Sequence, residues 1–374
     1  MLLSYYTLIL TCGIAIVASN RAHTPWERAK LLGPLAFTDA RVDFQCTALT
    51  PSPTVPTSVH ALRPADIKYI GAIGDSLTAA NGAKAWTIIG LLTENRGVSW
   101  SIGGERDLSS VVTLPNIMRE FNFKLYGQSS GNGNQNSSSA VFNVAKPGAV
   151  SADMPGQANL LVDRMIEYLG VNKFNSEWKL VTFFIGGNDL CAYCEDNNRY
   201  SASAYKSNVQ TTLNILRDRM PRTIVNFVTV LNVAELEDLH EGVVCTNMQG
   251  FLCDCAIKPD TREQVRVANL AYQKVTNELI DSGIYDVKND FTVVRQPFME
   301  HMKVPNKPNN GGPDFDYFAP DCFHFSTKGH EAAAIELWNN MMEKVGQKTT
   351  LWDLKDTLKC PSAGNGYIYT SKNS

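Results

Sequence analysis

The sequence predicts an α/β fold: three layers, α/β/α, around a central, mainly parallel five-stranded sheet. Three observations lead there. Short apolar, β-branched or aromatic runs alternate with helical patterns about five times along the chain, as expected for a parallel sheet covered by helices on both faces. Each run is short and apolar, consistent with a buried strand. With 374 residues, 44% hydrophobic and 19% charged, the chain can also bury a sizeable core.

Taken in order, the chain begins with an apolar run, Thr7 to Val17, too short to span a bilayer comfortably. Val17 and Ser19 form a small-residue cleavage pattern before Asn20, so residues 1–19 read as a secretory signal peptide. No Lys or Arg precedes the run, which leaves an uncleaved anchor as the alternative. Residues 20–64 form an N-terminal extension, closed by a connector with four prolines over 51–64. The patterned domain occupies 65–346. Its first strand is Ile67 to Ile73, ending at Gly74, and further strands are expected at Val141–Ala145, Leu180–Ile185, Thr223–Val230 and Phe291–Val294. Leu161, Met165, Ile166 and Leu169 mark one helix. Tyr205, Val209, Leu213 and Leu216 mark a second, stopped by Pro221. Thr261 to Gln264 has the form of a capping box before Val265, Ala268, Tyr272, Val275 and Leu279. A last helix is expected from Thr327 to about Val345, capped by Ser326, with Ile335, Trp338 and Met342 inward. Residues 347–374 are a C-terminal extension without the hydrophobic tail of a lipid-anchor signal.

A net charge of -3 offers no basic surplus for nucleic acid. No later stretch is long and apolar enough for a transmembrane helix, so a secreted, extracellular protein is expected. Of nine cysteines, Cys12 lies in the signal. Cys46, Cys191, Cys194, Cys245, Cys253, Cys255, Cys322 and Cys360 remain, enough for up to four disulfides in an exported chain. A Cys46–Cys360 pair clamping the termini is attractive; the other connectivity is open. Cys191-x-x-Cys194 with Cys253-x-Cys255 could instead form a zinc site, but an oxidising compartment favours disulfides. Asn136-Ser137-Ser138 is a glycosylation sequon in a Gly/Asn/Ser-rich stretch, 128–139, that reads as an exposed loop.

Four clusters carry chemistry. Ser76, in IGDSLTA, stands at the carboxyl end of the first strand, where such sheets gather functional groups. Its hydroxyl needs a base to become a nucleophile; otherwise it reads as a helix N-cap. His324 stands in DCFHFSTKGH with Asp321 three residues upstream. That spacing can set a carboxylate against one imidazole nitrogen and leave the other for the serine. His330 competes, but it lies inside the last helix with no Asp at the same spacing. Asn188, in FFIGGNDL, can offer an amide N–H to an oxyanion, though Gly-Gly-Asn-Asp is also good turn chemistry. Gly148, in NVAKPGA, can offer a backbone N–H to the same oxyanion.

Together these clusters resemble the four blocks of the GDSL, or SGNH, hydrolase superfamily. The segments GAIGDSLTAANGAKA, RGVSWSIGG, TLPNIMREFN, FFIGGNDLCAYC and FHFSTKGH are similar to a repeat unit of the animal phospholipase B family, over roughly residues 60–350. The resemblance implies an SGNH-hydrolase-like fold, Ser76 as nucleophile, and His324 as base with Asp321 as its partner. It implies an oxyanion hole of the Ser76 N–H, Gly148 and Asn188, with no metal and no cofactor. It further implies a phospholipid or lysophospholipid substrate, with a membrane or micelle surface as a candidate place of action, and no obligate protein partner. Mammalian members carry several tandem repeats and a membrane anchor, whereas this chain shows one repeat. The rival readings are a carboxylesterase or carbohydrate O-deacetylase on the same fold, and a catalytically silent lipid-binding protein. Phe315, Tyr317, Phe318 and Phe323 could line an acyl-chain groove, touch a lipid surface or belong to the core.

Overall fold

The computed structural model describes residues 42, 44–46, 50–352, 354 and 357–374. The signal-peptide reading of 1–19, Cys12 and residues 20–41 fall outside the described residues. Four strands lie side by side in chain order, all parallel: β1 Tyr69–Gly74, β2 Lys179–Phe184, β3 Thr223–Val228 and β4 Phe291–Gln296. Each is buried along nearly its whole length, as a sheet covered on both faces requires.

The fifth expected strand, Val141–Ala145, does not form. Val141 has φ 48°, a turn conformation costly for a β-branched residue. The segment meets β1 through a single parallel bridge, Ala72 with Asn143, and a second loop pass adds the bridge of Tyr69 with Tyr126. Ala72 N–H donates to Phe142 O and Val144 N–H to Ala72 O. The edge of β1 is thus covered by two irregular passes, and among the described residues the sheet has four strands where five were expected.

The helices are α1 Ser76–Ala79, α2 Leu114–Arg119, α3 Met154–Leu169, α4 Val171–Ser176, α5 Gly187–Cys191, α6 Ala202–Arg219, α7 Gly242–Leu252, α8 Asp254–Ile257, α9 Pro259–Asp281 and α10 Thr327–Met341. One face of the sheet is covered by α3, α6 and α9, packed side by side. Gly71 makes room there: a Cβ would sit 2.8 Å from Met165 Cε of α3. On the opposite face Asn226 of β3 meets Met341 of α10, and the Trp100 ring lies edge-on to Phe184 and Phe298. The period-two alternation of each strand thus feeds two separate apolar layers.

Helix boundaries moved slightly. Lys258 caps α9 and Pro259 opens it, so the expected box at Thr261–Gln264 lies inside the first turns. Thr261 Oγ1 donates to Cys255 O instead. The last helix stops at Met341 rather than about Val345, while Ser326 Oγ caps it by accepting the Gly329 N–H. Four disulfides link Cys46–Cys360, Cys191–Cys253, Cys194–Cys255 and Cys245–Cys322. The first clamps the termini as suggested. The next two pair the four cysteines weighed as zinc ligands. The C-terminal segment returns onto the domain, with Ile368 fully buried and its N–H on Leu62 O.

Candidate active site

The site begins where β1 ends. A Cβ on Gly74 would lie 2.5 Å from both Phe184 O and Thr78 Oγ1, so only glycine lets the chain pass. Gln157 of α3 grips the same residue twice: Oε1 accepts the Gly74 N–H and Nε2 donates to Gly74 O, both at 2.9 Å. Asp75 then caps α1, with Oδ1 accepting the Leu77 N–H at 2.9 Å. Ser76 is the first residue of that single turn. The turn is too short to satisfy its own carbonyls. Trp100 Nε1 donates to Leu77 O, and Ser99 Oγ and Asn143 Nδ2 donate to Thr78 O. Burial pushes the Asp75 carboxyl up to about 7, against the Leu77 N–H and the charge of His324, which favour the carboxylate.

His324 and Asp321 arrive from the other end of the chain on the loop before α10. The loop closes on itself through an antiparallel bridge of Phe318 with Phe325, and Ala319 N–H donates to His324 O. His324 Nε2 lies 2.8 Å from Ser76 Oγ, and His324 Nδ1 lies 2.6 Å from Asp321 Oδ2. Asp321 Oδ1 accepts the backbone N–H groups of Phe323 and His324. Burial alone would raise the Asp321 carboxyl, but the His324 charge and these hydrogen bonds outweigh it and hold it below the usual carboxylate range. An ionised Asp321 only accepts. In the uncharged ring the proton is therefore assigned to Nδ1, which leaves Nε2 as the acceptor for the Ser76 hydroxyl. All three side chains are buried.

The glycine and asparagine blocks meet beside this triad. Gly148 has φ 77°, a left-handed turn conformation suited to glycine, and Asn188 is the second residue of α5. Asn188 Nδ2 donates to Ala149 O at 2.8 Å, leaving its second N–H for a ligand. Next to it Asp189 Oδ2 accepts the Ser151 N–H, and Asp189 Oδ1 accepts the Ser151 hydroxyl. Burial pushes the Asp189 carboxyl up to about 6, while the Ser151 donors pull the other way. The arrangement can do nucleophilic acyl chemistry: a serine hydroxyl within hydrogen-bond distance of an imidazole that a carboxylate orients.

His330 is placed elsewhere. Its Nδ1 accepts the Trp100 N–H at 3.3 Å, its ring packs edge-on to Phe325, and burial lowers its pKa to about 3. It is a neutral prop beneath Trp100. Phe315 and Phe318 belong to the core, with Tyr317 and Phe323 half-buried against it. Asn136 is exposed on its loop. Motif reasoning missed Gln157, Ser99 and Trp100, because polar groups that satisfy another element's backbone carry no local signature.

A family profile described as GDSL-like Lipase/Acylhydrolase matches residues 70–337. The chain is 46% identical over 343 residues to "Phospholipase B1, membrane-associated" of Mus musculus, a match covering 89% of this chain and 23% of that protein. The protein of the same description from Homo sapiens is 46% identical over 343 residues, again with 89% and 23% covered. The chain thus spans about a quarter of the length of these relatives. Among solved structures, a variant of an acetyl xylan esterase from Geobacillus stearothermophilus is similar at 11% identity and a TM-score of 0.33, over 72% of this chain and 94% of that one.

Proposed function

The chain belongs to the GDSL-like lipase/acylhydrolase family, and from that premise we propose a secreted serine hydrolase of phospholipid and lysophospholipid esters. The observation that carries it is the continuous line Asp321–His324–Ser76, at 2.6 and 2.8 Å. Ser76 Oγ attacks the ester carbonyl while His324 Nε2 takes its proton, and Asp321 stabilises the imidazolium. The Ser76 N–H, the Gly148 N–H and Asn188 Nδ2 receive the oxyanion. Collapse breaks the bond to the alcohol oxygen, which takes the proton from His324. Water, deprotonated by His324, then releases the fatty acid and restores Ser76. We assign the hydrolase domain to 65–346, with an N-linked glycan on exposed Asn136.

Two features support a lipid substrate and an extracellular setting. Segments 85–93 and 242–253 contain no charged residue. They pack on each other through Ile88, Leu91 and Met248 against Ala319 of the His324 loop, with Trp86, Ile89, Leu92, Val243 and Phe251 exposed. An uncharged apolar surface beside the triad suits an amphiphile. Four disulfides suit an oxidising compartment. Among the described residues no helix is long and apolar enough to cross a membrane.

The test is turnover of phosphatidylcholine, lysophosphatidylcholine and a short acetyl ester, with chelator present, by the parent and by Ser76→Ala. Loss of the nucleophile should cost about 10⁴-fold or more in kcat. Long-chain fatty acid released by the parent alone supports the reading. Cleavage of the acetyl ester alone keeps the triad and removes the lipid assignment. No cleavage by folded parent leaves a binding protein.

A further inference from the structure

Gly148 has to present its N–H at a fixed point, yet its segment is neither strand nor helix and carries no cysteine. Something else must hold it. The Arg96 side chain is completely buried, at 0% exposure. Its Nε donates to Gly133 O at 2.7 Å and its Nη1 to Asn143 O at 3.0 Å. Its Nη2 donates to Ala145 O at 2.6 Å and to Glu94 Oε2 at 2.5 Å. A buried guanidinium is tolerated only when its charge and its N–H groups are met, and here two partners are carbonyls of the pass over β1 at Asn143 and Ala145, and a third is Gly133 O in the loop before it. The planar fork suits two carbonyls two residues apart; an ammonium lacks that geometry.

The gripped segment is tied on its other side to the nucleophile. Asn143 Nδ2 donates to Thr78 O of α1 at 3.1 Å. Lys146 N–H donates to Gly74 O, and Ala149 N–H closes a turn onto Lys146 O. Gly148 lies inside that turn. Residues 143–146 are thus fixed between Arg96 and the backbone that carries Ser76.

We propose that Arg96 is a positioning residue of the oxyanion hole: by holding Asn143 O and Ala145 O it aims the Gly148 N–H at the oxygen that becomes negative during attack by Ser76. The inference rests on the hydrolase reading above, and a parent inert towards every ester and towards a fluorophosphonate removes that reading first.

The experiment uses Arg96→Lys in the full chain, with competent sites counted by fluorophosphonate titration. Per titrated site, kcat on a soluble ester should fall about 10- to 100-fold, in the range of a weakened oxyanion donor, with KM within about twofold. Affinity for a trifluoromethyl ketone, whose adduct carries an oxyanion, should fall by the same factor, while fatty-acid product inhibition should not move. A simple fold staple lowers Tm and the number of competent sites but spares both kcat per site and ketone affinity; that result overturns the proposal. If Arg96→Lys does not fold, Arg96→Gln serves, since its uncharged amide can reach at most one of the two carbonyls that the guanidinium holds. It should give the same signature, and wild-type kcat and ketone affinity in that variant overturn the proposal equally.

Discussion

The two halves of the site are held in different ways. Asn188 and the Asp321–His324 loop are braced covalently. Cys191, at the end of α5, is bonded to Cys253 beside α7, and Cys245 within α7 is bonded to Cys322, between Asp321 and His324. Helix α7 is therefore a strut between two segments of the candidate site, and Gln249 Nε2 adds a hydrogen bond to Cys322 O. The backbone around Ser76, at Gly74, Leu77 and Thr78, is held by buried hydrogen bonds with the side chains of Gln157, Asp75, Ser99, Trp100 and Asn143, and Asn143 ties the segment before Gly148 to it. The difference follows from the scaffold. Ser76 sits on a sheet end surrounded by core, where side chains can reach its backbone. The His324 loop leaves the sheet, and a crosslink limits its freedom instead.

The largest effect expected from breaking this contrast is on the braced half. Replacing Cys245 and Cys322 together by serine should cost about 2–4 kcal/mol of stability and reduce kcat about tenfold or more as His324 loses its fixed distance to Ser76. Far-UV circular dichroism should stay near wild type, because the strands and long helices do not depend on that link. Removing Cys46–Cys360, which joins the chain ends, should leave kcat per folded molecule nearly unchanged. Equal losses from both pairs would mean that the Cys245–Cys322 link acts on global stability alone, and the contrast would fail.

The hydrogen-bonded half should answer to a different insult. Gln157→Leu keeps roughly the same volume but strips the Gly74 N–H of its acceptor and Gly74 O of one donor; Lys146 N–H still reaches that oxygen. An unsatisfied buried donor costs about 1–3 kcal/mol, and the Ser76 turn should shift, lowering kcat severalfold with KM little changed. Adding a thiol reductant should not deepen this loss beyond what it does to the parent. Synergy between reductant and Gln157→Leu would show that the halves are mechanically one.

Much of this architecture could be read from residues alone, for reasons particular to each. Ser76 was legible because Gly-Asp-Ser follows an apolar run, and both the strand end and the turn need those residue types. Asp321 and His324 were legible because three residues of spacing in a loop set one carboxylate against one ring nitrogen. The strand at Val141–Ala145 was misread because its apolar composition is shared by a buried loop pass, and the positive φ of Val141 has no signature in composition. Gln157 and Arg96 were invisible as site residues. Their partners are main-chain groups far away in sequence, and any residue type presents the same carbonyl. Cysteine pairing needed the fold for the same reason: only the placement of α7 brings Cys245 to Cys322 and Cys253 to Cys191.

The last effect concerns protons, and it also separates the halves. Asp75 is buried against the Ser76 turn with its carboxyl pushed up to about 7, from an ordinary 3.8. Between those values the folded chain keeps a proton that the unfolded chain releases. Stability from this group is therefore greatest at the acid end, falls as pH rises from about 4 to about 7, and levels off above. Asp75→Asn retains an oxygen for the Leu77 N–H but cannot ionise. The difference in Tm, variant minus parent, should therefore rise from about pH 4 to about pH 7 and then stay flat. The braced half has the opposite sign, because Asp321 is held below its ordinary value and contributes stability that is lost only as pH falls. A flat difference across the whole range would mean that Asp75 ionises in the fold as readily as in water, and that the Ser76 turn tolerates a charge its burial should exclude.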